Sequence, residues 1–244
     1  MYNNFALLYD ELMDDVDYKN WHLYIEKTFD KFNKKPKTVL EMACGTGNLS
    51  YYLAKRGYDL TCFDISSEML SIAYNKINSF KNVKLLNQNM IDFNLNKKFD
   101  AIISACDSIN YIIDKDDLLN VFKNVKDHLN KDGIFIFDIN SYYKLKHIIG
   151  NNTFVEDRDK IYYIWQNYFN SSNNIVEFYL TFFVANENKN YIRFDEEHFQ
   201  KAYYIDEIIE LLKIASFSEI HCFDAFTFNS LREESERIYF VALD

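Results

Sequence analysis

The sequence predicts an α/β fold: a doubly wound, mostly parallel seven-stranded sheet with a C-terminal antiparallel hairpin and an inserted antiparallel β-sheet lid. Three observations predict it. From residue 38 to residue 138 short apolar, partly β-branched runs alternate with amphipathic helical stretches, the pattern of parallel strands joined by right-handed crossovers. The period then changes: Val176, Phe178, Leu180, Phe182 and Val184 fall on one face and Glu177, Tyr179 and Thr181 on the other, which is antiparallel sheet. After an amphipathic helix over 205–217, two alternating runs, 220–228 and 238–243, are joined by the charged stretch R-E-E-S-E-R as an edge hairpin.

Taken in order, residues 2–32 repeat apolar and aromatic side chains at helical spacing, with Phe5, Leu8, Tyr9 and Leu12, then Trp21, Tyr24, Ile25 and Phe29. This predicts a helical cap packed on a core. Lys34, Lys35, Pro36 and Lys37 form a polar linker holding the chain's one proline. Thr38, Val39, Leu40 and Met42 then suit a buried strand, which breaks into Ala43, Gly45 and Gly47 with Cys44 and Thr46 between them. An amphipathic helix follows from Leu49, closed by Gly57 as a C-cap. Small residues are needed in such a turn because a side chain would keep the backbone away from a ligand and because some turns require positive φ. The free N–H groups at the helix start face that ligand.

Spacing indicates which ligand. A dinucleotide turn reads G-x-G-x-x-G, whereas here the small residues fall as Ala43-x-Gly45-x-Gly47, with Ser50 in the last glycine's place. Glu41 adds negative charge beside the helix start, which suits a cationic ligand better than a diphosphate. A second strand over 58–63 leads to Asp64, where an acid can grip both hydroxyls of a ribose. Ser66 or Ser67 caps the next helix, which carries Met69, Leu70, Ile72 and Ala73. A glycine turn that only makes a tight corner is the competing reading.

The stretches E-M-A-C-G-T-G-N and C-F-D-I-S-S-E-M-L resemble the class I S-adenosylmethionine-dependent methyltransferases. The A-C-G-T-G form is closest to the small-molecule, glycine and amino-sugar N-methyltransferases with an antiparallel β lid. Ala43 departs from the usual first glycine, and Glu41 stands where Asp is also common. The resemblance implies a Rossmann-like fold, S-adenosyl-L-methionine as cofactor, and methyl transfer to an N or O nucleophile of a small-molecule acceptor by in-line displacement. It assigns the cofactor to Glu41, Ala43, Cys44, Gly45, Thr46 and Gly47 at the turn, and to Asp64, Ile65 and Met69 beyond the second strand.

By the same resemblance Asn89 meets the adenine amine and Met90 its ring, past a third strand over 83–86. A neutral amide is chemically able to accept that hydrogen bond. A core methionine and a turn capped by Asp92 are the plain alternatives. The stretch F-A-L-L-Y-D-E-L-M-D-D-V-D-Y-K-N-W resembles the N-terminal segment that folds over the cofactor in this group, making Tyr9, Tyr18 and Trp21 candidate partners of a sulfonium. Cation–π attraction contributes about 0.5 to 2 kcal/mol for each such face; simple packing stands beside it as a reading of each.

A fourth strand over 99–104 runs into A-C-D-S-I-N-Y-I, at the carboxyl end where open α/β sheets bind ligands. Ala105 and Cys106 are assigned there to the cofactor, and Asp107, Ser108, Asn110 and Tyr111 to the acceptor, against a reading as loop caps. A helix over 115–129, a K-D-G turn and a fifth strand over 134–138 follow. Residues 141–200 form the lid, with Asn-rich hairpin turns at 170–174 and 186–190. Arg193 and His198 near its end are substrate candidates, and His198, Glu197 or Asp107 could take a proton from an amine. Alternation puts His198 on the face of Ile192 and Phe194, which a satisfied, partly buried histidine would share. The expected division is a cap over 1–35, a core over 36–140 and 201–244, and the lid over 141–200.

Composition bounds the partners. A net charge of −10 over 244 residues argues against a nucleic-acid acceptor. No apolar run reaches membrane-spanning length and the start lacks a signal peptide's pattern, so the expected location is the cytoplasm. The four cysteines show no paired spacing, which reads as free thiols without a metal site or disulfide. The rivals to a small-molecule methyltransferase are a protein or RNA methyltransferase, a non-catalytic S-adenosylmethionine-binding module and, with its third glycine misplaced, a nicotinamide-dependent dehydrogenase. An open cleft under the lid would mark an enzyme; a lid packed shut by apolar contacts would mark the binding module.

Overall fold

The apolar run Thr38–Met42 becomes β1, a central strand flanked on both sides by parallel neighbours. A computed structural model describes residues 3–186 and 190–244, with side chains described from Phe5 onward. Ahead of β1 lie helices α1 (Asn3–Leu12) and α2 (Tyr18–Lys31), the latter capped by Asp17, whose carboxylate accepts from the Asn20 N–H. Behind it come α3 (Asn48–Arg56), β2 (Asp59–Asp64), α4 (Ser67–Ile77), β3 (Val83–Asn87), β4 (Phe99–Ser104), α5 (Lys115–His128) and β5 (Leu129–Asn140).

A four-stranded antiparallel sheet follows: β6 (Thr153–Arg158), β7 (Ile161–Asn170), β8 (Ile175–Ala185) and β9 (Tyr191–Lys201). The chain then returns through α6 (Ile205–Ile214), β10 (Glu219–Asp224) and β11 (Arg237–Leu243) to the first sheet. Its seven strands run β10-β11-β5-β4-β1-β2-β3, parallel except for β11, which pairs antiparallel with both β5 and β10.

Strand alternation sorts the core into two layers. Leu40, Ile102, Phe135, Phe137 and Phe240 face one way, toward Leu118, Val121, Phe122 and Val125 of α5 and Ile208, Leu211 and Leu212 of α6. Val39, Leu60, Ile103, Ile136 and Val241 face the other, toward Ile25 and Phe29 of α2 and Leu49 and Leu53 of α3. The sheet is therefore covered on both sides, as a doubly wound sheet requires.

Several boundaries differ from the sequence reading. The K-D-G stretch is no turn but part of β5, where the register against β4 shifts between Phe99 and Ala101 and Asp132 takes a positive φ of 63°. Helix α6 ends at Ile214 because Ser216 turns left-handed, with φ 69°. Strand β10 stops at Asp224, whose carbonyl accepts from the Thr227 N–H in a turn. A π-helical segment, Lys144–Ile149, leads into the lid and carries no sequence signal. The asparagine turn at 170–174 forms as expected, Asn170 and Asn173 accepting from the N–H groups two residues on. The second asparagine turn, 186–190, lies partly outside the described residues, as does Tyr2.

Candidate active site

The glycine turn crosses the carboxyl end of β1 in left-handed conformations, with φ 52° at Ala43, 54° at Gly45 and 77° at Gly47. Each glycine meets a different demand. A Cβ on Gly47 would stand 3.0 Å from Ala73 Cβ, so its absence lets α3 and α4 approach. A Cβ on Gly45 would meet nothing within 4 Å, so that side of the turn is open space. Ala43 holds its left-handed φ despite a Cβ, a conformation costing an L-residue about 1 to 2 kcal/mol.

Asp64 closes the site from β2. Its Oδ2 accepts from the Gly45 N–H at 2.8 Å and its Oδ1 from the Ser66 N–H at 2.9 Å, and the Ile65 N–H is a third backbone donor to the carboxylate, whose roughly four acceptor sites are therefore not all used. Burial pushes its carboxyl up, and those backbone donors hold it down. Ile65 beside it is 70% exposed, while Met69 is buried and donates its N–H to the Ser66 cap. Cys44 and Thr46 are buried in the turn, the Cys44 N–H donating to the Phe63 carbonyl.

Glu41 does not stand beside the ligand space. It is buried, its Oε2 accepting from Ser50 Oγ at 2.6 Å and from Cys62 Sγ, and burial pushes its carboxyl up to about 7. Its place is beneath the turn rather than in it, which corrects its assignment as a charge facing the ligand. Asn89 is also partly committed, since its Oδ1 accepts from the Ile91 N–H at 3.0 Å, and Met90 packs on the core.

Helix α1 lies over this edge and is fastened to it by an acid the sequence reading missed. Asp10 Oδ1 accepts from Thr46 Oγ1 and Asn48 Nδ2, and its Oδ2 pairs with Lys76. Tyr9 consequently sits among Tyr18, Cys106, Asp107 and Tyr111, and burial raises its phenol and that of Tyr18. Trp21 is buried against Phe226 and Tyr239, with the Arg237 guanidinium 5.4 Å from its ring centre, in the apolar cluster that also holds Cys44, Tyr18 and Cys106.

Beyond β4, Cys106 and Asp107 both take positive φ, 58° and 53°. Asp107 is no free base. Its Oδ1 is paired with Arg237 Nη2 at 2.8 Å and its Oδ2 accepts from Gln200 Nε2 at 2.8 Å, while its N–H donates to Asp138. Arg237 also pairs with the fully buried Asp138, and the two carboxylates keep the guanidinium charged. Ser108 Oγ donates to the Ala105 carbonyl, and Ala105 is half-buried beside it. Asn110 is fully buried, donating to the Asn140 and Lys201 carbonyls and accepting from the Asn140 N–H; it joins lid to core instead of meeting an acceptor.

On the lid, alternation divides the candidates. Arg193 and Glu197 lie on the outer, exposed face of β9, Arg193 paired with Asp195. Both are corrected as site residues: odd positions of β9 point away. The inner face carries Glu196, His198 and Gln200, and the same period that placed His198 could have found Glu196. His198 stands 5.5 Å from the Phe5 ring and 6.0 Å from that of Tyr111, and burial lowers its imidazole. Phe5 packs on Phe182 as well, so the inner lid face is covered by α1. Among the described residues no group of three or more His, Cys, Asp or Glu is arranged to hold a metal ion, and no helix is long and apolar enough to cross a membrane. The four cysteines are free thiols.

Residues 39–133 match the family model described as a methyltransferase domain. Over 244 residues the chain is 36% identical to the methyltransferase-family protein YqeM of Bacillus subtilis (strain 168), covering 99% of this chain and 96% of that one. The chain belongs to the class I S-adenosylmethionine-dependent methyltransferases. A solved relative is an S-adenosylmethionine-dependent methyltransferase from Clostridium acetobutylicum ATCC 824, with a TM-score of 0.90 at 41% identity over 99% of this chain and 98% of that one. The fold is shared at 18% identity with the sugar N-methyltransferase KedS8 from Streptoalloteichus sp ATCC 53650, with a TM-score of 0.79 over 98% and 92% of the two chains.

The residues present fit the cofactor. Open space beside Gly45, the acceptor capacity left on Asp64 and the exposed face of Ile65 are what a ribose and an adenine ring require. The covered lid does not turn the protein into a binding module: it is an enzyme of this family, and the covering helix is held by polar contacts at its C-terminal end and by the Phe5 ring near its start. Asp10 fastens α1 to the core, and Arg158 of β6 donates to the Glu11 carbonyl and pairs with Asp14 just past it.

Proposed function

We propose that this methyltransferase acts on a small-molecule acceptor, at an N or O nucleophile, in the space between α1, the loop after β4 and the inner face of β9. One observation carries the reading: His198 lies on the buried, ring-lined inner face of the lid, within reach of the Tyr9–Tyr111 side of the cofactor edge. A net charge of −10 disfavours RNA. The fold shared with a sugar N-methyltransferase adds support.

In this reading residues 1–35 cap the cofactor, 36–140 and 201–244 hold it, and 141–200 select the acceptor, in a cytoplasmic enzyme. Asp64 accepts the ribose hydroxyls, Tyr9 and Tyr18 present aromatic faces to the sulfonium, and the backbone at Gly45 lets the methionine part approach. When bound, S-adenosylmethionine supplies a methyl group whose bond to positively charged sulfur breaks as the acceptor's lone pair forms the new bond, the electron pair staying on sulfur. The chain's work is alignment, which brings several kcal/mol when the reacting atoms are held about 3 to 3.5 Å apart. Asp107, saturated by Arg237 and Gln200, positions the loop and leaves proton removal to another group.

Calorimetric titration with S-adenosylmethionine, S-adenosylhomocysteine and NAD, followed by transfer of labelled methyl to small-molecule, protein and RNA fractions, tests the reading. Binding of the first two alone and label in small molecules is the expected result. Label confined to protein or RNA overturns it.

A further inference from the structure

The loop between β3 and β4 borders Asp64 and is held from behind by α5. At its start Gln88 donates its N–H to the Asp64 carbonyl at 3.1 Å, and Asn87 Nδ2 donates to the carbonyls of Asp64 and Ile65. A base attached to a ribose on Asp64 therefore meets this loop. Further along, the loop has no helix or strand of its own to carry it, and two side chains from the last turns of α5 do so instead. Asn124 Nδ2 donates to the Ile91 carbonyl at 2.6 Å, and His128 Nε2 accepts from the Leu95 N–H at 3.1 Å.

His128 can accept there because of its other nitrogen. Its Nδ1 lies 2.7 Å from the Asn124 carbonyl, which can only accept, so the proton sits on Nδ1 and Nε2 keeps its lone pair. A histidine that merely ended the helix would need only that bond. The bond to Leu95 reaches a different segment of the chain, 33 residues back. The ring is also packed: its centre lies 4.6 Å from that of Phe93, and Phe93 lies 5.1 Å from Phe63, the residue just before Asp64. All three rings are buried. One imidazole thus supports the loop directly and, through two rings, the strand end that carries Asp64.

We propose that His128 is a positioning residue for the adenosine half of the cofactor: by accepting from Leu95 it holds the loop after β3 in the shape that the base meets. This deepens, and rests on, the reading above in which Asp64 takes the ribose hydroxyls. Asn124 fixes the loop near its start and His128 fixes it near its end, so the loop is ordered before the cofactor arrives and binding does not bear that cost. Without the acceptor, the Leu95 N–H loses its partner and the loop is free to move. The effect falls on affinity for the adenosine half, because the methionine half lies at the glycine turn.

The test titrates the full chain with S-adenosylhomocysteine and with adenosine. His128→Phe keeps a ring on Phe93 and removes the acceptor; His128→Gln returns an oxygen near the Nε2 position. Calorimetry is expected to find both ligands bound about fivefold more weakly by His128→Phe, the worth of one neutral hydrogen bond, and restored to within about twofold by His128→Gln. Equal loss for the two ligands places the effect in the adenosine half, and equimolar binding reports that the variant is folded. Lys123→Gln, on the exposed side of α5, keeps wild-type affinity. The wild type supplies a second measurement that needs no variant: exchange of the Leu95 amide hydrogen slows about tenfold or more under saturating adenosine, because opening of the loop then competes with binding. Wild-type affinity in His128→Phe, a His128→Gln no better than His128→Phe, or Leu95 exchange indifferent to adenosine overturns the proposal. Adenosine affinity that survives Asp64→Ala sinks the placement of the ribose on Asp64, which is a separate failure.

Discussion

Asp10 Oδ2 lies 2.6 Å from Lys76 Nζ, and the other oxygen of the same carboxylate accepts from Thr46 Oγ1 at 2.6 Å. One acid of α1 thus holds the glycine turn and α4 together. Because the carboxylate is partly exposed, Asp10→Ala is expected to cost only about 1 kcal/mol of stability. Its main effect falls on the cover: release of S-adenosylmethionine, followed by stopped flow, should quicken roughly tenfold, most of the change lying in the off-rate. An unaltered off-rate would mean that α1 does not retain the cofactor.

Asp64 is the carboxylate at the turn that keeps acceptor capacity beyond its backbone donors. Asp64→Ala should weaken S-adenosylmethionine binding about tenfold or more, in line with the roughly 1.5 to 3 kcal/mol of charged hydrogen bonds. Calorimetry decides the point, and wild-type affinity would remove Asp64 from the site.

Ala43 is the residue where the turn is strained, with φ 52° on a side chain that disfavours it. Ala43→Gly relieves about 1 to 2 kcal/mol of left-handed strain and returns up to about 1 kcal/mol of entropy to the unfolded chain. The expected net is a gain of about 0.5 to 1 kcal/mol in denaturant unfolding; a loss would show that the Ala43 methyl packs usefully.

Glu41 makes stability depend on pH. Burial lifts its carboxyl from 4.5 to about 7, so the folded state binds a proton more tightly than the unfolded one. Its contribution is complete below pH 4.5 and is lost as pH rises through 7. The loss is about 3 kcal/mol at about 1.4 kcal/mol per pH unit. The stability difference between the wild type and Glu41→Gln, measured by denaturation at pH 5, 6, 7 and 8, should shift toward the variant across that window. Parallel curves would mean that Glu41 is ionised throughout.

What was legible in the chain is what neighbours in sequence determine. The positive-φ glycines, the Ser66 cap and the acid ending β2 are read from consecutive residues, because a turn and a cap are made by residues a few positions apart. Asp10 and Arg237 were missed because their partners lie far along the chain, Thr46 and Lys76 for one, Asp107 and Asp138 for the other. The packing of Trp21 on Tyr239 was hidden for the same reason, its partner lying at the far end of the chain. Glu197 is a different error, since two-residue alternation was available and pointed one position earlier.

The insertion of the lid between β5 and the last two strands has a consequence for synthesis. Strand β11 pairs with β5 along its length, Arg237 opposite Asn140 and Leu243 opposite Ile134. As the chain leaves the ribosome, β5 can lie down beside β4 at once, but its other margin stays bare until the whole lid and α6 have been made. An apolar strand with unmatched N–H and C=O groups is a template for neighbouring chains. The nascent enzyme therefore passes through an interval of exposure to self-association, which closes only when β11 arrives and brings Arg237 to Asp138.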